Sequence, residues 1–180
     1  MIITAQVDGW TYAACPLGTP EHTFGEFRSA VAMWRAKAAG GLPRKSEFRP
    51  EDFRGWLGWV IVYEVEPHPF DLRFRLYGSH LVEKMGFEPT GKRFSEAYAH
   101  VPGHTVALDH FRHLRRERMI GISSGPLNWE GLGFRSGVFL DLPVADDSGE
   151  VRYFFTFGRF IEAPCPAPAP APAARWAVTA

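Results

Sequence analysis

The sequence has little cysteine, no net charge and no long apolar run, and each of these absences excludes a class of protein. The two cysteines, Cys15 and Cys165, lie near opposite ends, without the close spacing of metal clusters or disulfide frameworks. Basic and acidic residues each total 20, so the net charge of zero favours neither nucleic acid nor an anionic membrane as a partner. No stretch approaches about 18 apolar residues, and the first residues lack the basic start of a secretory signal. Together these features predict a cytoplasmic protein that binds neither nucleic acid nor membranes.

The composition predicts one domain between two less ordered ends. A chain of 180 residues that is 46% hydrophobic can bury one sizeable core. Glycine and proline are scattered through residues 1–20, which predicts a loosely ordered N-terminal extension that could add an edge strand. Alternating proline and alanine in residues 163–180 predict a disordered or polyproline tail. The domain is therefore assigned to residues 21–162.

Hydrophobic periodicity predicts helices and antiparallel strands. Helical spacing after Pro20, ended by Gly40 and Gly41, predicts an N-terminal amphipathic helix. Two strands at 59–66 and 70–78, separated by a turn, predict a hairpin. A block of helices follows, with a short helix beginning at Ser79 and a longer one at 103–119. Three further strands are predicted at 120–130, 134–145 and 150–163.

The strand at 70–78 alternates between apolar and polar residues, as a sheet packed on one side requires. Phe74 and Leu76 share one face, and Arg75 and Tyr77 share the other. The pattern alone leaves open which face lies inward, and the apolar face is the expected one.

The segment "GFEPTGKR" at 86–93 has the glycine and lysine spacing of a phosphate-binding loop. However, a helix is predicted before it, Pro89 removes one backbone amide, and Arg93 replaces the hydroxyl that would bind magnesium. We therefore interpret Gly86 as the end of a short helix and Gly91 as a turn residue.

The order of the elements resembles the PAS sensor fold, and several short motifs resemble a compact bacterial family of stand-alone PAS domains. The shared features are a tryptophan on the first helix, a Leu-Pro-x-Arg connector, an arginine and a Gly-Ser pair at a strand end, a glycine loop, and a second Leu-Pro pair in the fourth strand. Here these features are Trp34, Leu42, Pro43, Arg44, Arg75, Gly78, Ser79, Gly86, Thr90, Gly91, Lys92, Leu142 and Pro143. The resemblance covers residues 25–162, with Ser79 in place of the more usual threonine and Pro89 stiffening the glycine loop.

The resemblance implies an α+β fold, in which a five-stranded antiparallel sheet has a block of short helices on one face and an N-terminal helix ahead of it. PAS domains hold small ligands between the sheet and these helices, and such pockets are mainly apolar. The predicted pocket residues are apolar side chains of the strands and of the helical block. They are Phe74, Leu76, Met85, Phe87, Val138, Leu140, Tyr153 and Phe155. The alternative is that these side chains simply pack in the core.

Three histidines on the long helix raise the alternative of a heme or metal site. They are His104, His110 and His113, on the helix where some PAS domains place a heme ligand. The surrounding residues are mostly charged, so the favoured interpretation is that these histidines lie at the surface. Catalysis is not expected either, because "ISSGPL" lacks the nucleophile turn and no Cys–His pair is placed by local sequence.

Three functional hypotheses follow. The first is a non-enzymatic PAS sensory module in bacterial signal transduction, which binds a small ligand or a signalling protein and forms a homodimer through its N-terminal helix. The dimer is suggested by Phe154 and Phe160, which are expected on the outer face of the sheet and need covering. The second is a protein-interaction adaptor with a filled core, and the third is a heme-binding gas or redox sensor.

Overall fold

The computed structural model describes residues 1–38, 40–127 and 135–162. Within these ranges the chain forms a mixed α+β structure with an antiparallel sheet, which confirms the predicted fold class. The strands are β1 (Ile2–Val7), β2 (Trp10–Cys15), β3 (Val60–Pro67), β4 (Phe70–Tyr77), β5 (Ile120–Pro126), β6 (Arg135–Ala145) and β7 (Val151–Glu162). The α-helices are α1 (Arg28–Ala36), α2 (Ser79–Met85), α3 (Phe94–Ala97) and α4 (His104–Glu117). None of the helices in these ranges is both long enough and apolar enough to span a bilayer.

The sheet has seven strands, not the predicted five, in the order β1-β2-β5-β6-β7-β3-β4. The difference comes from the first residues of the chain, which were expected to be loosely ordered. They form a hairpin around Asp8 and Gly9, both with positive φ, and β2 pairs with β5 from Thr11↔Ser124 to Cys15↔Ile120. Asp-Gly is a preferred pair for such a tight turn, because both positions require left-handed backbone angles. The N-terminal extension is therefore part of the sheet.

Both faces of the sheet are covered. The inner face packs against α2, α3 and α4, as shown by the rings of Phe111 in α4 and Phe154 in β7, whose centroids lie 5.1 Å apart. The outer face packs against α1 and the 3-10 turns that follow it, as shown by Phe53 and Phe157, whose centroids lie 6.3 Å apart. Consecutive residues of a strand point to opposite faces, so the central strands are apolar on both sides.

Helix α1 is fixed to the outer face by its tryptophan. Trp34 is fully buried, and its Nε1 donates a hydrogen bond to the carbonyl oxygen of Pro143 in β6 at 2.9 Å. Ala30 and Val31 are buried beside it. Phe154 and Phe160 were expected on this face, and that expectation is wrong, because Phe154 packs on the inner face against α4 and Phe160 packs against the same inner cluster.

A bulge in β4 changes the faces of its last residues. Tyr63 pairs with Phe74 while Val62 pairs with Leu76, so Arg75 has no partner of its own in β3. The extra residue reverses the alternation, because a one-residue insertion exchanges the two faces. Phe74 and Tyr77 therefore both lie in the inner core, and Leu76 is 38% exposed.

Candidate ligand-binding site

A cavity of about 90 Å³ lies between the inner face of the sheet and the helices. Its walls come from the N-terminal hairpin, the central strands, the helical block and the loop before α4. The lining residues are Val7, Trp10, Tyr12, Ile61, Tyr63, Met85, Phe94, Tyr98, Val101, Pro102, Gly103, His104, Ala107, Phe111, Ser123, Leu127, Phe139, Asp141 and Thr156. Most of these side chains are apolar or aromatic, which is typical of sites for small organic molecules.

The N-terminal hairpin closes one side of the cavity. The Trp10 ring stacks against Phe139 of β6 with 6.1 Å between the centroids, and its Nε1 donates a hydrogen bond to the carbonyl oxygen of Pro126 at 3.1 Å. Tyr12, two residues further on, lines the same side. Pro102 in the loop before α4 is exposed and also lines the cavity, so this loop marks the side nearest solvent.

The cavity has a polar wall on β6 and β7. Asp141 and Thr156 pair directly across the two strands, and the Thr156 hydroxyl donates a hydrogen bond to Asp141 Oδ1 at 2.7 Å. Asp141 is only 1% exposed, and its Oδ2 has no hydrogen-bond partner among the described residues. Ser123 of β5 adds a buried hydroxyl to the lining. A buried carboxylate with one unsatisfied oxygen is uncommon in folded proteins.

His110 of α4 lies behind this wall. His110 is only 3% exposed. Its Nε2 lies 3.9 Å from Asp141 Oδ2, which is too far for a hydrogen bond. Its Nδ1 lies 3.1 Å from the Thr4 hydroxyl, which can donate its own proton to the carbonyl oxygen of Tyr12. This contact is compatible with a proton on either ring nitrogen of His110, because a hydroxyl can accept from an Nδ1–H or donate to an unprotonated Nδ1. Nε2 has no partner in the part of the chain that the structure describes.

Gly121 allows these groups to come together. It pairs with Asp141 across β5 and β6, and a Cβ at this position would lie 2.9 Å from both Asp141 Oδ2 and His110 Nε2. Any side chain here would displace both groups or the Leu114 side chain beside them. The glycine is required by this close approach of α4 to the sheet.

Burial shifts the pKa values of the two groups in opposite directions. Burial raises the pKa of Asp141 to about 7, although the hydrogen bond from Thr156 partly offsets this effect by lowering the pKa. Burial lowers the pKa of His110 to about 4, and the nearby His113 adds to this effect. Burial, together with the charge of Asp141, also raises the pKa of Tyr12 to about 12. At neutral pH, His110 is therefore neutral and Asp141 is close to half protonated.

Of the eight predicted pocket residues, the structure places one, Met85, in the cavity lining and the others elsewhere. Met85 lines the cavity, while Phe74 and Phe87 pack in the adjoining inner core and Leu76 points away because of the bulge. The remaining four pack on the outer face, opposite the cavity: Val138, Leu140, Tyr153 and Phe155. The prediction that these four residues line the pocket is therefore corrected. It was misplaced because β6 and β7 are apolar on both faces, so the alternation of residues cannot identify the inner face.

The sequence carried a signal for the polar wall that the hydrophobic pattern did not use. Asp141 interrupts the apolar run "VFLDLPV", and Thr156 interrupts the aromatic run "YFFTF". His110 follows Ala107 by three residues and precedes Leu114 by four, which places it on the buried side of α4. The interpretation of His110 as a surface histidine is therefore wrong.

The heme alternative does not fit this cavity. His104 lines it, but a volume of about 90 Å³ is well below the roughly 300–1,000 Å³ of typical cofactor sites. His110 Nε2 faces Asp141 and Gly121, and no porphyrin could fit between them. His113 is only half-buried and does not line the cavity. Among the described residues, no group of three His, Cys, Asp or Glu side chains is arranged to hold a metal ion.

Comparison with known proteins identifies the family. No curated protein matches the chain. A solved structure of an RNA-binding light-oxygen-voltage receptor matches with a TM-score of 0.45 and 14% sequence identity, over 69% of this chain and 37% of the receptor chain. That similarity is too low to support a functional comparison. The family model described as "PAS domain" matches residues 25–152, which is most of the sequence. The chain therefore belongs to the PAS domain family.

Proposed function

We propose that this chain is a sensory module in bacterial signal transduction, which binds a small molecule in the cavity and passes the effect to a signalling protein. The observation that carries the proposal is the apolar cavity with one buried polar wall, in which Asp141 Oδ2 has no partner among the described residues. Pockets for small organic ligands combine these features, because apolar walls provide affinity and a few polar groups provide orientation. Membership of the PAS family supports a sensory role.

The proposed role is non-enzymatic and cytoplasmic. Ser123, His110 and Asp141 lie in one region, but no hydrogen bond joins Ser123 to His110 Nε2 in the described structure. This arrangement supports the proposal, because an activated serine nucleophile is usually held by a hydrogen bond to its base. The proposed cytoplasmic location is supported by the low cysteine content and by Cys15, which is buried as a free thiol.

Native mass spectrometry of the freshly purified protein tests the sensory proposal. We expect a species heavier than the 20.2 kDa chain by the mass of one small organic molecule, and we expect denaturing conditions to release that molecule. A structure at high resolution should then show it between the sheet and α4. A single mass equal to that of the chain, together with failure of every small apolar probe to enter the cavity, would contradict the proposal.

The second candidate is an adaptor that recognises proteins without a ligand. It is favoured by the small cavity volume of about 90 Å³ and by the dense aromatic packing beside it, where Phe94 lies 4.7 Å from Tyr98 and 6.2 Å from Phe74 between ring centroids. For this candidate we expect no retained molecule and no response to small apolar probes. The same two measurements therefore separate the adaptor from the sensor.

A further inference from the structure

Two buried polar atoms at the polar wall have no hydrogen-bond partner in the part of the chain that the structure describes. Asp141 Oδ2 and His110 Nε2 lie 3.9 Å apart, and neither has a hydrogen-bond partner among the residues that the structure describes. The other polar atoms of both side chains are occupied, since Asp141 Oδ1 accepts from Thr156 and His110 Nδ1 bonds to Thr4. The protein itself therefore orients one carboxylate oxygen and leaves it unsatisfied.

A buried acceptor without a donor is costly, and it becomes useful when a ligand supplies the donor. Asp141 belongs to the cavity lining, whereas His110 lies behind it, so a molecule in the cavity would reach Asp141 first. Ser123 and Thr156 are the neighbouring polar side chains of the lining, and the Thr156 hydroxyl proton is already donated to Oδ1. A hydrogen bond from a neutral ligand group to an ionised carboxylate is stronger than one between two neutral groups.

The enclosed volume limits the size of this ligand. A cavity of about 90 Å³ lies between the roughly 30 Å³ occupied by one liquid water and the roughly 150 Å³ of an engineered apolar cavity that binds benzene. The cavity therefore admits at most one small ring or a short branched chain. A larger molecule would extend past Pro102 towards solvent.

The rest of the lining favours an uncharged ligand. Apart from Asp141 and His104, the lining side chains are apolar, aromatic or hydroxyl-bearing, and Tyr12 and Tyr63 are protonated at neutral pH because burial raises the pKa of each. A cation would lose its hydration on entry and regain only one counter-charge, which makes buried ion pairs of this kind weakly favourable at best. An uncharged N–H or O–H group avoids that cost.

We propose that the cavity binds a ring-sized, uncharged, mainly apolar molecule that donates an N–H or O–H hydrogen bond to Asp141 Oδ2. The inference rests on the proposed function, since it names the chemical class of the sensed molecule and the residue that selects it. It predicts discrimination between molecules of equal size and shape that differ only in this donor.

Aniline and toluene form a matched pair of probes, because both are single rings with one substituent of similar size and only aniline donates a hydrogen bond. Binding is measured by titrating each probe into the ¹⁵N-labelled full-length protein and following the amide signals of Asp141, Ser123 and Ala107. We expect aniline to bind about tenfold or more tightly than toluene at pH 8, where Asp141, whose pKa burial raises to about 7, is mostly ionised.

Two variants assign the discrimination to the carboxylate. Asp141→Leu keeps a side chain of similar size without acceptors, and it should remove the preference for aniline. Thr156→Val removes the neighbouring hydroxyl but keeps the carboxylate, so it should retain the preference. Circular dichroism at the titration temperature checks that both variants are folded.

The outcomes distinguish this inference from the proposed function. Loss of the aniline preference in Asp141→Leu, with retention in Thr156→Val, supports the inference. Equal affinity of the wild-type protein for both probes, or an aniline preference that persists in Asp141→Leu, overturns the inference while the ligand-binding function stands. If neither probe shifts the cavity signals of the wild-type protein, the inference is overturned, and the sensory function is contradicted with it only when native mass spectrometry also shows no bound molecule.

Discussion

At the scale of single residues, Asp141 and His110 link stability to pH in opposite directions. Burial raises the pKa of Asp141 from 3.8 to about 7, so the folded state holds a proton that the unfolded state releases, and stability falls as pH rises between these values. Burial lowers the pKa of His110 from 6.5 to about 4, so the unfolded state holds the extra proton, and stability falls as pH decreases from 6.5 to 4. The two effects oppose each other between about pH 4 and pH 6.5.

The substitution Asp141→Asn should expose the histidine effect. Without the carboxyl group, the free energy of unfolding should decrease by about 3 kcal/mol as the pH is lowered from 6.5 to 4, at about 1.4 kcal/mol for each tenfold change in proton affinity. The wild-type protein should change much less over this interval because the two effects offset each other. Urea unfolding at several pH values measures both profiles.

The complementary variant is His110→Gln, in which only the aspartate effect remains. Its free energy of unfolding should instead fall as the pH rises from about 4 to 7. Parallel profiles for the wild-type protein and both variants would show that these side chains do not have the shifted pKa values described above.

Thr4 is the second residue whose role can be tested singly. Its hydroxyl connects the Tyr12 carbonyl oxygen to Nδ1 of the buried His110, so Thr4→Val removes the hydrogen-bond partner of Nδ1. We expect a loss of about 1–3 kcal/mol in the free energy of unfolding. Thr11→Val is a matched control on the same hairpin, because the Thr11 hydroxyl accepts a hydrogen bond from the exposed Gln6 side chain at 3.3 Å, and it should change stability by less than about 0.5 kcal/mol. Equal effects of the two substitutions would contradict a specific role for Thr4.

At the scale of secondary-structure elements, local patterns predicted most of the fold. The hairpin β3–β4, the helices α1, α2 and α4, and strands β5, β6 and β7 all occupy predicted regions of the chain. The predicted strand residues 128–130 and 134, and the predicted tail at 163–180, lie outside the described residues. The β1–β2 hairpin was missed although "DG" at positions 8 and 9 favours a tight turn. Its position in the sheet depends on pairing with β5, more than 100 residues away, which no local pattern encodes.

The candidate site was harder to predict than the fold, because the motifs that identify the family hold elements together. The Pro43 carbonyl oxygen accepts a hydrogen bond from the Ala145 amide, and Gly91 donates one to the carbonyl oxygen of Phe74 at the sheet edge. These residues fix the connector and the glycine loop to strands β6 and β4. The polar wall consists of residues outside those motifs, such as Asp141 and Thr156, so the resemblance identified the fold without identifying the site.

The attachment of α1 to the sheet is the element-scale feature most open to test. Trp34→Phe keeps a large aromatic ring but removes the N–H that bonds to the Pro143 carbonyl oxygen at 2.9 Å, in a fully buried position. We expect a loss of about 1–3 kcal/mol in the free energy of unfolding, because a buried acceptor is left unpaired. Met33→Leu, on the same helix at a half-buried position, conserves volume and should cost less than about 1.5 kcal/mol. A Trp34→Phe protein as stable as the wild type would show that this hydrogen bond contributes nothing to docking.

At the scale of the whole molecule, the homodimer remains a prediction, but the apolar side of α1 is not available to form it. The apolar side of α1, formed by Ala30, Val31 and Trp34, is buried on the chain's own sheet, so a dimer through this helix would have to use its remaining surface. Light scattering coupled to size-exclusion chromatography should give twice the chain mass of 20.2 kDa if the prediction is right. A mass of one chain at every concentration tested would rule the homodimer out.

Helix α1 and the cavity lie on opposite faces of the same two strands. In β6, Asp141 lines the cavity, and the next residue, Leu142, packs in the outer core. In β7, Thr156 lines the cavity, and the residue before it, Phe155, packs in the outer core. A ligand that shifts Asp141 therefore acts one residue away from the side chains that hold α1. The backbone of these strands therefore connects the proposed sensor site to the face on which the N-terminal helix packs.

If the ligand acts through this path, the coupling must be reciprocal, because each event changes the equilibrium of the other by the same factor. Hydrogen exchange of the α1 amides with and without aniline measures how the ligand changes helix docking. Trp34→Phe weakens docking directly, so the aniline affinity of this variant should change in the corresponding direction, by about fivefold or more for couplings of ordinary size. Met33→Leu should leave the affinity unchanged. If aniline binds the wild-type protein and Trp34→Phe equally well, the sensory signal does not leave the cavity through α1, and the partner must contact another surface.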